Sequence, residues 1–255
     1  LRVLSMYKDP EEREQQIKNM SSVFRELADG ILPQLRRARM TINYDVIGRS
    51  DAQIQEQYKS DAKQLSVEEL LYNAALTNNA AEKEDIYKTT SNLFPNDARA
   101  FNNLASLAYQ RGDYSAAKKY AEKALKADAN SADAKANLGL VALAEGNVAK
   151  AENYISQASG ASNIQEALGN LHIAQGKYAQ AEQELANVNS NTAALAQILN
   201  KNYSAAASTL SNIKIADATT DFLKSFLNAR QGNTSAAASA LRNAFSKDPS
   251  WAKYA

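Results

Sequence analysis

Catalysis by the common residue sets needs a nucleophile, a base or metal ligands at fixed spacing, and this chain offers few of them. His172 is its sole histidine, and it has no cysteine. One imidazole cannot build a paired-histidine metal site. Without a thiol there is no cysteine nucleophile, thiolate site or disulfide framework. The carboxylates of Glu11-Glu12, Glu68-Glu69 and Glu84-Asp85 are adjacent in helical stretches. Consecutive helical side chains point apart, so these pairs read as solvated faces, not acid/base partners. No G-x-x-x-x-G-K-S/T loop and no G-x-S-x-G elbow occurs. His172 is expected as a packed or partly exposed structural residue. The chemistry therefore points away from an enzyme, a cofactor or a metal, and toward recognition by a surface.

Composition narrows the partners. The 255 residues are 45% apolar and 22% charged, a globular balance, and the net charge is +1. No strong field calls for nucleic acid or a membrane surface. The aromatic residues fall at core spacing, not interleaved with basic ones, so nucleic acid is not expected. No apolar run has the length of a membrane span. From Asn189 onward seven basic residues face three acidic ones, a local +4 that leaves −3 for the rest. That asymmetry suggests an acidic partner at this end.

The elements that position the surface are read from one pattern. The stretch 94–131 carries Phe101, Leu104, Leu107 and Ala108 on one helical face, a turn at Arg111-Gly112-Asp113, and Tyr114, Ala117, Tyr120, Ala121, Ala124 and Leu125 on a second face. The three-and-four spacing is that of amphipathic helices. The pattern returns around Gly146, Gly176 and Gly232. Recurrent helix–turn–helix units predict a solenoid. Gly112 and Gly146 are 34 residues apart, Gly146 and Gly176 only 30, and Lys201 stands where the next turn glycine belongs. The unit around Tyr203, with short helices at about 192–200 and 204–213, is expected to be the loosest or a bend. Ser50 with Gln53, Ser66 with Glu69 and Ser162 with Gln165 have capping-box spacing. Asn78-Asn79 replaces the turn glycine of the first unit, as a residue that tolerates a left-handed cap.

This pattern resembles the tetratricopeptide repeat family, whose unit is about 34 residues. The resemblance covers roughly 66–251. Small residues stand at the family's small positions: Ala105, Ala117 and Ala124 in the unit opening at Ala98, and Gly139, Ala151 and Ala158 in the next. Pro95 and Pro249 close units. The resemblance implies a mostly α, right-handed α-solenoid of five to six helical hairpins. It also implies a concave groove lined by first helices that binds a protein or peptide segment. Carried onto this sequence, the groove residues are Arg99, Asn102, Ser106, Tyr109 and Gln110 from one unit, Leu140 and Leu143 from the next, and Glu166, Asn170 and Ile173 from the third. Asp133, Ala136, Ala144, Asn163 and Ala174 complete the three rows. Asn102 stands where the carboxylate-clamp subclass needs a lysine, so capture of a free C-terminus is not expected. The groove reads as mixed polar at one end and apolar at Leu140, Leu143 and Ile173. The competing expectation is that the protein's own N-terminal helix fills it.

Residues 1–60 differ in kind and are expected as a small α/β module ahead of a solenoid over 61–255. Residues 1–7 and the alternating 40–47 read as strands. Between them Asp9-Pro10 opens a helix that Gly30 and Pro33 should end. The run LRRARMTINYDV is similar to the closing part of OmpA-like peptidoglycan-binding domains, with Arg36-Arg37 leading into a last strand. No ligand-binding residue of that family can be carried over. The resemblance implies a bacterial envelope protein on the periplasmic side of the outer membrane. Such a protein would be anchored to peptidoglycan through a part preceding Leu1, with the repeats as spacer or assembly platform. A cytoplasmic scaffold is the alternative. Trp251 and Tyr254 are expected to cap the open end of the last repeat.

Overall fold

The computed structural model describes residues 8–19, 21–31 and 48–249. The chain divides into two units, Leu1–Gly48 and Arg49–Ala255. In the first, α1 (Pro10–Asn19) and α2 (Ser21–Glu26) lead into a wide π turn, Leu27–Ile31, that holds Gly30. The Glu11 N–H donates to Asp9 Oδ1 at 3.1 Å, as an N-terminal Asp-Pro pair favours. The strands expected at 1–7 and 40–47, the Arg36-Arg37 pair, and Trp251 and Tyr254 lie outside the described residues.

The second unit is a tetratricopeptide-type α-solenoid. Helix α3 (Asp51–Asp61) precedes six hairpins: α4 (Val67–Ala75) with α5 (Ala80–Leu93), α6 (Ala98–Gln110) with α7 (Tyr114–Ala127), and α8 (Ala132–Ala144) with α9 (Val148–Ser156). These are followed by α10 (Ile164–Ala174) with α11 (Tyr178–Glu184), α12 (Asn191–Leu199) with α13 (Tyr203–Asn212), and α14 (Ala218–Arg230) with α15 (Thr234–Lys247). The helix α3 packs through Ile54 on Leu65 and Leu70 at the base of the first hairpin. From α6 onward each first helix touches the next first helix, so their faces form one continuous layer.

Two devices set the hairpin geometry. At the turns Gly112, Gly146, Gly176 and Gly232 take φ of 74–79°. The Asn147 N–H reaches the Ala142 carbonyl at 2.8 Å and the Gly146 N–H reaches Leu143 at 2.9 Å, the bond pair that closes a helix on a left-handed residue. Lys201 holds φ 63° with the same bond pair to Ile198 and Gln197. The unit near Tyr203 thus keeps the repeat's turn despite the missing glycine. Within hairpins, size is matched across the helix pair. Ala105 and Ala121 share one core cluster. Their equivalents 34 residues on are Gly139 and Ile155, and 30 further on Gly169 and Leu185. A Cβ added at Gly139 would lie 2.4 Å from Ile155 Cγ1, and one at Gly169 2.4 Å from Leu185 Cδ1. The larger partner is admitted only because the smaller one has no side chain.

The capping expectations divide. Ser50–Gln53 and Ser66–Glu69 form reciprocal capping boxes. Asn79 caps α5 by accepting from the Ala81 and Glu82 N–H groups. Neither it nor Asn78 takes a left-handed φ: the turn between α4 and α5 has four residues, 76–79, where the one between α6 and α7 has three, 111–113. Ser162 does not cap with Gln165. The helix starts at Ile164, and its N-cap Asn163 makes no capping bond.

Candidate functional site: the face of the first helices

The site begins with the first turns of α6, α8 and α10, where side chains of successive repeats converge on one cavity of about 290 Å³. Leu71 of α4, Asn102, Asn103 and Ser106 of α6, Asp133 and Asn137 of α8, and the α10 start at Ser162 and Asn163 supply its walls, with Arg99 at the rim.

Its hydrogen bonds link successive repeats. Asn102 is only 8% exposed. Its Nδ2 donates to Ser131 Oγ at 3.0 Å, and its carbonyl accepts from Asn137 Nδ2 at 3.2 Å. Its Oδ1 is buried with no partner. Asn163 Oδ1 is likewise buried and unpartnered. Asp133 Oδ1 accepts from the Ser162 N–H at 2.7 Å and the Ser162 hydroxyl at 2.8 Å.

Arg99 is already committed. Its guanidinium donates to Asp97 at 2.6–3.1 Å and to Glu68 at 3.1 Å. Hydrogen bonding to Asp97 and then Glu68 raises the guanidinium pKa, and Arg99 in turn holds the Asp97 carboxyl below its usual range. Further along, Glu166 Oε2 accepts from the Ser190 hydroxyl at 3.0 Å, and its backbone carbonyl accepts from Asn170 Nδ2 at 2.8 Å. Tyr109 is half-buried against the α8–α10 core and pairs with the Tyr114 ring at a 5.5 Å centroid distance. Burial first, then Tyr114 and the Glu166 carboxylate, push the Tyr109 hydroxyl up to about 12.

The structure therefore brings Arg99, Asn102 and Ser106 together at the cavity, with Asp133 and Asn163 beside them. Gln110 is exposed one turn beyond. Leu140 does not offer an apolar patch: it is 6% exposed and belongs to the core with Ala136, Ala142 and Ile155. Leu143 packs against that core, and Ile173 packs against the one formed by Ala181, Leu185 and Ala193. Leu140 is thus withdrawn from the apolar end of the groove, while Leu143 and Ile173 stay partly exposed. Asn103 and Asn137 were missed, although asparagine recurring 34 residues apart in the repeat register is a legible signal. His172 is half-exposed in a separate depression among Gln165, Gln180 and Gln183, and its Nδ1 has no partner. Among the described residues no group of three His, Asp or Glu side chains is placed to hold a metal. No helix among them is long and apolar enough to cross a membrane. At the basic C-terminal end Lys247 is held by Asp221 at 2.7 Å and by the Ala216 carbonyl at 2.7 Å.

A layer of first helices that presents polar side chains, backed by a layer of second helices, defines a helical repeat protein. Residues 102–164 match the model of the tetratricopeptide repeat family. No curated protein matches the chain in sequence. Among solved structures it is similar to a tetratricopeptide repeat protein from Parabacteroides merdae, at 14% identity and TM-score 0.52, over 92% of this chain and 93% of that one. It is also similar to a chain of the APC/C hetero-tetramer Cut9–Hcn1, at 14% identity and TM-score 0.56. That match covers 77% of this chain and spans 42% of that one.

Proposed function

We propose that the protein is a non-catalytic interaction scaffold that holds an extended segment of a partner protein along its first helices. The observation that carries this is the polar cavity of about 290 Å³ that side chains of successive first helices wall together. An extended chain brings a regular series of N–H donors and side chains to such a row, and repeat arrays offer extended surfaces of this kind. Because Leu140 is in the core, polar groups of the partner do the recognising, not a hydrophobic helix face. The test is photo-crosslinking from positions 103 and 106, compared with position 122 on the exposed side of α7. The reading requires one partner segment recovered from the first two positions and not the third. Recovery from position 122 alone removes it.

A second reading places the protein in the bacterial envelope, with the repeats spacing or assembling partners near peptidoglycan. It is supported by the OmpA-like run around Arg36-Arg37. Co-sedimentation of the full-length parent protein with purified sacculi tests it, and a parent that stays in the supernatant counts against it.

A further inference from the structure

The second-helix layer carries unpaired positive charge on α7. The inward residues Ala117, Ala121 and Ala124 of this helix are fully buried. On its outward side Lys119, Lys123 and Lys126 are exposed at spacings of four and three, so they form one ridge. At 1.5 Å per residue the ridge is about 10 Å long. With Ala116, Tyr120 and Glu122 these lysines wall an open depression of about 500 Å³, larger than the cavity on the first helices. Other lysines of this layer are taken up, Lys88 by Glu84 at 2.8 Å and Lys118 by Glu145 at 3.7 Å. None of the three ridge lysines forms an ion pair among the described residues. Glu122 precedes Lys126 by four residues, the order that favours a helical ion pair, and still makes none. The Lys123 ammonium lies 5.7 Å from the centre of the Phe101 ring and 5.8 Å from that of Tyr120, which holds it over an aromatic floor. Three cations thus face one carboxylate, a local +2 on a chain whose whole net charge is +1. Like charges four residues apart on a helix oppose its formation, a penalty that an anionic occupant would remove.

We infer that this ridge is a docking surface for an acidic helical segment of a partner protein, with Asp or Glu at positions i, i+4 and i+7, laid along α7. Such a helix repeats the lysine spacing, so three carboxylates meet three ammonium groups over about 10 Å. Ala116 and Tyr120 give the depression an apolar floor, which takes an aliphatic side chain between the acidic ones. Lysine is a compact charge on a flexible stem and makes no demand for planar, bidentate partners, which suits carboxylates spaced along a helix. The same chemistry argues against nucleic acid. No arginine lines the depression, Tyr120 offers no free face because Lys123 lies over its ring, and the chain has no strong overall field. The ridge is on the other layer from the first-helix face. The inference therefore goes beyond the scaffold reading and does not depend on it, and a segment crosslinked at position 122 would differ from one recovered at positions 103 and 106.

The test uses the full chain, 15N-labelled, and two end-capped, alanine-based helical peptides with glutamate or glutamine at i, i+4 and i+7 and one leucine between them. The glutamate peptide should shift the backbone amide signals of residues 119–126 and bind about tenfold more tightly than the glutamine peptide, the sum of three exposed ion pairs. Raising salt from about 0.05 M to about 0.5 M should remove most of this preference. Lys119→Gln alone should reduce it about twofold. Lys119→Gln/Lys123→Gln/Lys126→Gln should abolish it, with circular dichroism checking that α7 stays folded. Lys59→Gln/Lys63→Gln/Lys214→Gln removes the same charge from exposed positions elsewhere and should leave the preference in place. Equal binding of the two peptides, or an equal loss in both triple variants, overturns the inference. So does a lysine-dependent response to a phosphatidylserine vesicle or a DNA duplex that exceeds the response to the glutamate peptide. Crosslinking from positions 103 and 106 decides the scaffold reading separately, whichever way these measurements fall.

Discussion

Gly169→Ala should destabilise the protein although alanine is the better helix former. A methyl at Gly169 would lie 2.4, 2.6 and 3.0 Å from Cδ1, Cγ and Cδ2 of Leu185. Carbon atoms rest at about 3.5–4.0 Å, so Leu185 would have to recede by about 1 Å. Behind it stand Ala181, Ala193 and Ala196, all fully buried. Overpacking of this kind costs about 1–3 kcal/mol, while alanine returns about 1 kcal/mol over glycine in a helix. With three contacts at or under 3.0 Å the overpacking cost belongs in the upper half of its range, about 2–3 kcal/mol, for a net loss of about 1–2 kcal/mol. Leu185→Ala removes all three crowded atoms and alone should cost about 2–5 kcal/mol through its cavity. Combined, the pair should cost about 1–3 kcal/mol less than the sum, because the clash is gone. That alanine pairing already exists at Ala105 and Ala121. Urea unfolding by far-ultraviolet circular dichroism measures the totals. Hydrogen exchange in α10 and α11 localises them, since repeat arrays do not always unfold as one unit. A Gly169→Ala protein as stable as the wild type, or a strictly additive pair, would refute the close-approach argument.

Gly146→Ala should cost about 1 kcal/mol for a different reason: no atom lies within 4 Å of the added methyl, but φ is 77°. Lys201→Gly should be neutral to about 1 kcal/mol stabilising, as relief of the left-handed conformation at φ 63° outweighs the added unfolded-state freedom; a loss in thermal unfolding would count against this. Ser66→Ala should lower stability by about 1 kcal/mol and fray α4 first, visible as faster exchange at the Glu69 amide it caps. Lys88 and then Arg111 hold Glu84 below the usual carboxyl range, and Arg99 does the same for Asp97. Their folded values lie below the unfolded ones, so their contribution is present above about pH 4 and lost as pH falls through the folded values. The urea midpoint should therefore drop on acidification below that point, and Glu84→Gln should flatten the drop.

The hairpins were legible because their signals are local: a glycine that must take positive φ, small residues where helices touch, and serine with glutamate or glutamine three on. Even the Lys201 turn was visible as a gap in a register that the structure keeps. The groove was less legible because most of α8 is enclosed. It packs against α6, α9 and α10, and residues 136–142 are buried without interruption. Periodicity cannot say which of Leu140 and Leu143 faces a ligand when every face meets protein. Carrying family positions over therefore placed Leu140 on the open surface, whereas it fills the core against Ile155, the partner that Gly139 makes room for.

Ser162 shows how a tertiary bond overrides a local motif. Its spacing to Gln165 is that of a capping box, yet its N–H and hydroxyl both go to Asp133 of the preceding repeat. The start of α10 is thereby moved to Ile164, and Asn163 is left at ψ 22°, far from the extended conformation of Ser66 or Asp97 at comparable N-caps. In that conformation the Asn163 side chain does not reach the α10 amides, a loss of about 1 kcal/mol against a capped helix. Asp133 thus holds Ser162 away from the helix and leaves α10 without a side-chain cap. Replacing Asp133 by alanine should release Ser162 to cap with Gln165 and steady the start of α10, read as slower hydrogen exchange at the Gln165 amide; exchange there that is unchanged or faster would refute this.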